Sequence, residues 1–287
     1  MRKTLLLFIS PLLLIGSELI VDNKALSQYQ IDNYAFFDEF DYHGGFDGYE
    51  PKDPSDRIFL PETFPILGNA FTLEAWFYAR DWGGNITIIG TESIGDGSDI
   101  DEPPMIILHK SNSIKYGFGT GSDEIISKVN NVRSPDTWHH VAYTFDGTDS
   151  KLYVDGIMVD SSRVAEGKTP VQKPLDVIGK KMRGKIDEVR VWSLARTQQE
   201  IESSMDDILN GNETGLVAYY PMDTNNEWKL IDRTSNNNHA TIKHAEIRQR
   251  YYSNSCPSPD GTFDCPYLTI NNALDDVQAG DNIKIME

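Results

Sequence analysis

The chain has 287 residues, enough to bury a sizeable core in one large all-β domain or in two modest ones. Its 39% hydrophobic and 10% aromatic content argues against wholesale disorder. With 44 acidic and 26 basic residues the formal net charge is −18, a surface that repels nucleic acid and anionic lipid, so both are set aside as partners. The acidic excess either serves solubility or includes carboxylates grouped to hold calcium.

At the N-terminus Arg2 and Lys3 precede an apolar run from Leu5 to Ile15, broken by Ser10 and Pro11. The run is too short to span a bilayer as a mature helix, so residues 1–27 are read as a signal peptide. Ala25-Leu26-Ser27 offers a small-x-small cleavage site before Gln28, and no cysteine stands near it to carry a lipid anchor. No later stretch approaches the length of a membrane span. The expected product is secreted or held at the cell surface, without membrane insertion.

From Phe71 the sequence alternates with a period of two, the mark of a strand buried on one face. Phe71, Leu73, Ala75, Phe77 and Ala79 form the apolar side, with Thr72, Glu74, Trp76 and Tyr78 opposite. Further short strands are predicted over 87–90, 105–109, 114–119, 138–145, 151–154, 157–160 and 185–192. Asp155-Gly156 links two of them, and a two-residue Asp-Gly link suits a hairpin because both positions take positive φ. Many short strands with little helix predict an all-β, antiparallel two-sheet sandwich. One helix is predicted from Thr197, where Thr197 and Glu200 form a capping box. Ile201, Met205, Ile208 and Leu209 give it an apolar stripe to lay on the sandwich, and Gly211 is placed to stop it.

Past residue 248 the character changes. Cys256 and Cys265, the chain's two cysteines, are read as a local disulfide in an exported protein, since two thiolates without nearby histidines make a poor metal site.

Several segments resemble the laminin G-like, concanavalin A-type jelly-roll family of bacterial secreted and surface proteins. They are residues 71–77 (FTLEAWF), 138–147 (WHHVAYTFDG) with 151–159 (KLYVDGIMV), and 184–192 (GKIDEVRVW) with Ala195, Arg196 and the capped helix. Residues 215–223 (GLVAYYPMD) and 232–242 match its tail. The resemblance covers roughly residues 45 to 245 and implies a jelly-roll domain over 28–248. Residues 249–287 resemble the opening of a pectin lyase-like parallel β-helix, whose later coils would lie beyond Glu287. A departure stands at the front, where Phe46-Asp47-Gly48 is followed by an insertion up to Asp56.

The family includes laminarinase-type enzymes with a Glu-x-Asp-x-x-Glu strand, but Lys185 stands where the first glutamate should precede Asp187. Asp99-Ile100-Asp101-Glu102 runs into Pro103-Pro104, and no Gly-x-Ser-x-Gly or His-Glu-x-x-His motif appears. Asp187, placed by alternation on the same face as Val189 and Val191, is either a structural acid accepting hydrogen bonds or a calcium ligand, with Asp47 as partner. His139 and His140 are expected to point one in and one out, as packing and surface residues. Trp82, before Gly83-Gly84, either stacks on a sugar ring or packs at the rim. The expectation is a binding or adhesion module that recognises a polysaccharide or a cell-surface protein and tethers a β-helix. The alternative is the N-terminal part of a polysaccharide lyase or hydrolase with its chemistry downstream.

Overall fold

The computed structural model describes residues 4–8, 33–37, 56–79, 85–91, 99–110, 112–223, 226, 228–249 and 282–286. They belong to two compact units, one of residues 33–248 and one joining 1–32 to 249–287. In chain order the strands begin with β1 (Thr4–Phe8), β2 (Asn33–Phe37), β3 (Arg57–Phe59), β4 (Phe71–Ala79) and β5 (Ile86–Gly90). Next come β6 (Met105–His109), β7 (Ser113–Gly119), β8 (Glu124–Val129), β9 (Trp138–Phe145), β10 (Ser150–Val154) and β11 (Ile157–Ser162). After β12 (Val177–Ile178) and β13 (Gly184–Trp192) the helix α1 (Gln198–Ser204) intervenes. The last strands are β14 (Leu216–Tyr220), β15 (Lys229–Leu230), β16 (Ala240–Lys243), β17 (Glu246–Gln249) and β18 (Asn282–Met286).

β1 and β18 form a parallel ribbon, Thr4 opposite Asn282 through Phe8 opposite Met286. A strand therefore lies within the segment read as an export signal. The other unit is an antiparallel jelly-roll sandwich of two eight-stranded sheets. The front sheet runs β11-β10-β9-β4-β13-β2-β17, with β14 also on β13, and the back sheet runs β15-β16-β3-β12-β5-β6-β7-β8. The segments 71–79, 138–159 and 185–192 are neighbours, since β4 pairs with both β9 and β13.

The period-two pattern decides which side chains enter the sandwich. Phe71, Leu73, Ala75 and Phe77 of β4 meet Ile88, Ile106, Tyr116 and Phe118 of the back sheet in one core cluster. Asp155 (φ 51) and Gly156 (φ 77) make the two-residue turn between β10 and β11, with Val154 opposite Ile157.

Three expectations are corrected. Over Thr72–Trp76, β4 is buried on both faces, not one, because the chain around α1 covers the outer side. The helix ends at Ser204, well before Gly211, and Ile208 of the expected apolar stripe is 70% exposed. The Thr197–Glu200 capping box is present, but Ile201 is the buried residue of the helix.

The third correction concerns Asp187. The pairing of β13 with β4 shifts register between Asp187 and Arg190, and Glu188 takes φ 51. This bulge inserts one residue and reverses the alternation. Ile186 and Val189 therefore both face the core, while Asp187 stands opposite outward-facing Trp76 and Arg190 opposite Glu74. Asp187 does not share the face of Val189 and Val191.

Gly184 opens β13 at φ 153, and a Cβ there would stand 1.9 Å from the Tyr78 carbonyl oxygen. The contact is with paired backbone, which cannot swing aside. Gly184→Ala is expected to cost about 3 kcal/mol or more. The check is a urea titration, in which the midpoint should fall with little change of slope; an unmoved midpoint would show that the strands can part locally.

Candidate functional site

The outer face of the front sheet is divided in two. One part is sealed beneath α1 and the loop after it; the other carries a row of aromatic and cationic side chains.

The sealed part is organised by Glu74, which β4 places on the outer side with no solvent exposure. Its Oε1 accepts hydrogen bonds from Trp192 Nε1 at 2.7 Å and Arg196 Nη1 at 2.9 Å, and Arg190 Nη1 lies 4.0 Å away. Arg190 also pairs with Glu188, whose carboxylate accepts the Tyr219 hydroxyl at 2.8 Å. Burial works against the Arg190 charge, but Glu188 and Glu74 outweigh it and raise its pKa. Two carboxylates and two guanidiniums thus compensate one another away from water.

The same side chains finish the helix. Arg190 Nη1 donates to the Ser204 carbonyl at 2.8 Å, Arg190 Nη2 to Asp207 at 2.6 Å, and Trp76 Nε1 to Met205 at 2.8 Å. Arg196 Nη2 reaches the Glu200 carbonyl at 2.8 Å. Carbonyls around a helix end lack intrahelical partners, and here the sheet supplies them. That explains a stop at Ser204 without a glycine.

His139 and His140 are both buried, contrary to the expectation of one at the surface. His139 Nδ1 meets Asp155 Oδ2 at 2.8 Å and its Nε2 accepts the Ser134 N–H at 3.0 Å. His140 stands on the outer side of β9, opposite Trp76 of β4, with its ring 5.5 Å from that of Trp76. Burial pushes its pKa down to about 4, outweighing the raising effect of Glu74, so the 3.7 Å approach to Glu74 Oε2 involves a neutral ring at pH 7.

Asp187 is fully buried, and its Oδ1 accepts the Glu188 N–H at 2.7 Å, which fits the structural-acid alternative. Among the described residues no three His, Cys, Asp or Glu side chains assemble as a metal-ligand set, and Asp47, the expected calcium-binding partner of Asp187, is not among those residues. Asp47, Trp82, Cys256 and Cys265 lie outside the described residues.

The open part goes beyond the sequence-based expectations. Across the front sheet Phe36 of β2 stands opposite Lys185 of β13, Lys185 opposite Tyr78 of β4, and Tyr78 opposite Trp138 of β9. On β17, the Arg248 guanidinium sits 3.5 Å from the centre of the Phe36 ring. The Lys185 ammonium lies 4.9 Å from the Tyr34 ring, 4.7 Å from Tyr78 and 5.8 Å from Trp138. Tyr34 and Tyr78 meet Trp138 edge-on at 6.3 and 6.0 Å. At about 4.8 Å per strand the row spans roughly 19 Å over five strands. Tyr34, Phe36, Tyr78, Lys185 and Arg248 are partly exposed, and Trp138 backs them. Rings held at fixed angles by cross-strand neighbours offer flat apolar faces, and the cations between them offer hydrogen-bond donors. The alternation of 71–79 contains one signal of this surface, Tyr78 on the outer side; the register that aligns it with Lys185 and Phe36 leaves none.

Comparison with known proteins agrees with this architecture. A laminin G-type family model of the concanavalin A-like lectin/glucanases superfamily matches residues 52–202, more than half of the chain. The chain belongs to this superfamily. Pappalysin-1 of Mus musculus is 28% identical over 187 residues, which cover 55% of this chain and 11% of that protein. Pappalysin-1 of Homo sapiens is 27% identical over 197 residues, covering 58% of this chain and 12% of that protein. The match thus takes in about a ninth of these relatives' length. A crystal structure of a protein provisionally described as carbohydrate binding, from Bacteroides ovatus, superposes with a TM-score of 0.55 at 20% identity, over 77% of this chain and 60% of that one. At that identity the likeness is one of fold.

Two predictions test the sealed part. Glu74→Ala would leave Arg190 and Arg196 with one carboxylate fewer and should cost about 3–5 kcal/mol in urea unfolding. For His140, the unfolded chain takes up a proton below about pH 6.5 while the folded ring resists until about pH 4. Its contribution is present above the unfolded pKa and is lost as pH falls across that window. The stability difference between wild type and His140→Gln should shrink by about 3 kcal/mol between pH 7 and pH 4, and parallel pH curves for the two proteins would contradict it.

Proposed function

We propose that this chain is a secreted or cell-surface, non-catalytic module that binds a polysaccharide across the outer face of its front sheet and holds a downstream β-helix domain near that polymer. The observation that carries the reading is the row Arg248–Phe36–Lys185–Tyr78–Trp138, in which two cations stand among three rings across five strands. Sugar rings present apolar C–H faces that stack on aromatic planes, while their hydroxyls accept hydrogen bonds from ammonium and guanidinium groups. A strip of this kind follows an extended chain better than it encloses a small molecule. The superfamily membership and the description of the Bacteroides ovatus protein support a binding role.

The export reading rests on Arg2, Lys3 and the run from Leu5 to Ile15, and the tether reading on residues 249–287. Cys256–Cys265 is proposed as a disulfide in that connection.

The test is a glycan array followed by titration of the bound polymer. Tyr78→Ala should weaken binding about tenfold, the worth of one stacked ring at about 1–1.5 kcal/mol, with the melting temperature little changed. Lys185→Gln should weaken it less. Unaltered binding by Tyr78→Ala, or a wild-type protein that holds no glycan on the array, would remove the reading.

A further inference from the structure

The back sheet carries a second charged surface that the front-sheet row does not explain. Leu108 of β6, Ile114 and Tyr116 of β7, and Val129 of β8 point into the sandwich. His109, Lys115 and Lys128 therefore lie on the outer face, with Lys115 directly opposite Lys128 and His109 opposite Ser113. Lys110 comes next, in the turn after β6.

Like charges directly across a sheet are destabilising, and sequences normally separate or pair them. Here carboxylates outnumber cations 44 to 26 in the whole chain, yet the side-chain ammonium groups of Lys110, Lys115 and Lys128 have no ion pair or hydrogen bond among the described residues. Protection of a free edge explains Lys128, which sits on the edge strand β8. It does not explain Lys115, since β7 is paired on both sides. Nor does it explain His109, whose Nδ1 lies 2.6 Å from Asn85 Oδ1. Burial lowers the His109 pKa, and Lys115, Lys128 and Lys110 lower it further, so the imidazole is kept as a neutral hydrogen-bonding group within a field of three cations. A fold that brings three uncompensated cations and a neutral imidazole to one face, while acidic everywhere else on balance, is complementary to an anion that arrives from outside.

We propose that the outer face of β6, β7 and β8 binds an acidic polysaccharide, its carboxylates seated on Lys115, Lys128 and Lys110 and its hydroxyls within reach of His109 and Asn85. The net charge of −18 works against nucleic acid and anionic membranes, which carry dense charge over long stretches. A carboxylated sugar polymer spreads its charge and adds hydroxyls, matching a short patch with polar neighbours. This surface is on the opposite sheet from the aromatic row, so the two stand or fall separately.

The experiment titrates the full chain with polygalacturonate at low ionic strength and again at ~1 M salt, where the Debye length falls to about 3 Å. Lys115→Gln/Lys128→Gln and Tyr78→Ala are compared with wild type. Support is binding at low salt that weakens about tenfold or more in the double lysine variant, weakens at high salt, persists in Tyr78→Ala and is not competed by neutral dextran. The double variant should melt at or above the wild-type temperature, because a repulsion has been removed. The proposal is overturned if wild type does not hold polygalacturonate, if the double lysine variant binds it equally well, or if duplex DNA or phosphatidylserine vesicles bind as tightly. Loss of binding in Tyr78→Ala alone would assign the polymer to the front-sheet row instead.

Discussion

The arrangement of this molecule depends on one buried carboxylate. Glu74 sits on a strand whose other face builds the core, so it enters the protein with the folding of β4 whether or not its charge is met. An uncompensated carboxylate there would cost several kcal/mol. Its partners come from far along the chain: Trp192 is 118 residues away and Arg196 is 122. Satisfying Glu74 therefore requires β13 to lie beside β4 and the chain after it to fold back across the sheet. The Arg196 N–H donating to Thr72 Oγ1 at 2.9 Å, and the Thr72 hydroxyl donating to the Leu194 carbonyl at 2.8 Å, fix that return.

This return of the chain divides the front sheet. Because Arg190, Arg196 and Trp76 are engaged in holding the end of α1, the outer face is closed over that part and left open where Tyr78, Lys185 and Phe36 emerge. The bulge at Glu188 is the device that makes both outcomes compatible. Without the extra residue, strict alternation along β13 would put either Asp187 or Arg190 into the apolar core. With it, Lys185 joins the aromatic row, Asp187 meets Trp76, and Arg190 meets Glu74, all on one side.

The parts of this architecture that are legible in the sequence are those set by local rules. Alternation over 71–79, the Asp155-Gly156 turn and the Thr197–Glu200 capping box each depend on residues a few positions apart, and each appears in the structure. The corrections all involve long-range partners. The end of α1 is set by donors on β4 and β13, one of them Trp76, 129 residues from its Met205 acceptor, so no residue near 204 announces it. The face of Asp187 is hidden because a bulge leaves no mark in a hydrophobic pattern when the inserted residue is a glutamate, not a glycine. Burial of His140 is hidden because cover from the α1 segment encloses its part of the outer side of β9, opposite Trp76, while His139 lies on the inner side against Phe77. The front-sheet row is invisible for a related reason: Phe36, Tyr78, Trp138, Lys185 and Arg248 are scattered over 213 positions, and only strand register lines them up.

Charge ties the two sheets together. A uniform surface on a chain at −18 would present acid everywhere, yet the cations are not spread evenly to dilute that charge. Some act inside, where Arg190 and Arg196 neutralise Glu74 and Glu188. Others form ordinary surface pairs such as Arg163 with Glu166 at 2.7 Å and Lys168 with Asp123 at 3.0 Å, contacts of little energetic weight. Two further groups gather at the aromatic row and at the β6–β8 face. At physiological salt an exposed charge is felt over about 8 Å, so a local group of cations acts at contact while the acidic remainder governs longer distances. That combination favours partners that approach without heavy charge density and exchange it for specific hydrogen bonds on arrival. Carbohydrate polymers meet that condition better than nucleic acids or anionic membranes do, which is why the net charge and the two cationic faces, contradictory at first sight, belong to one reading.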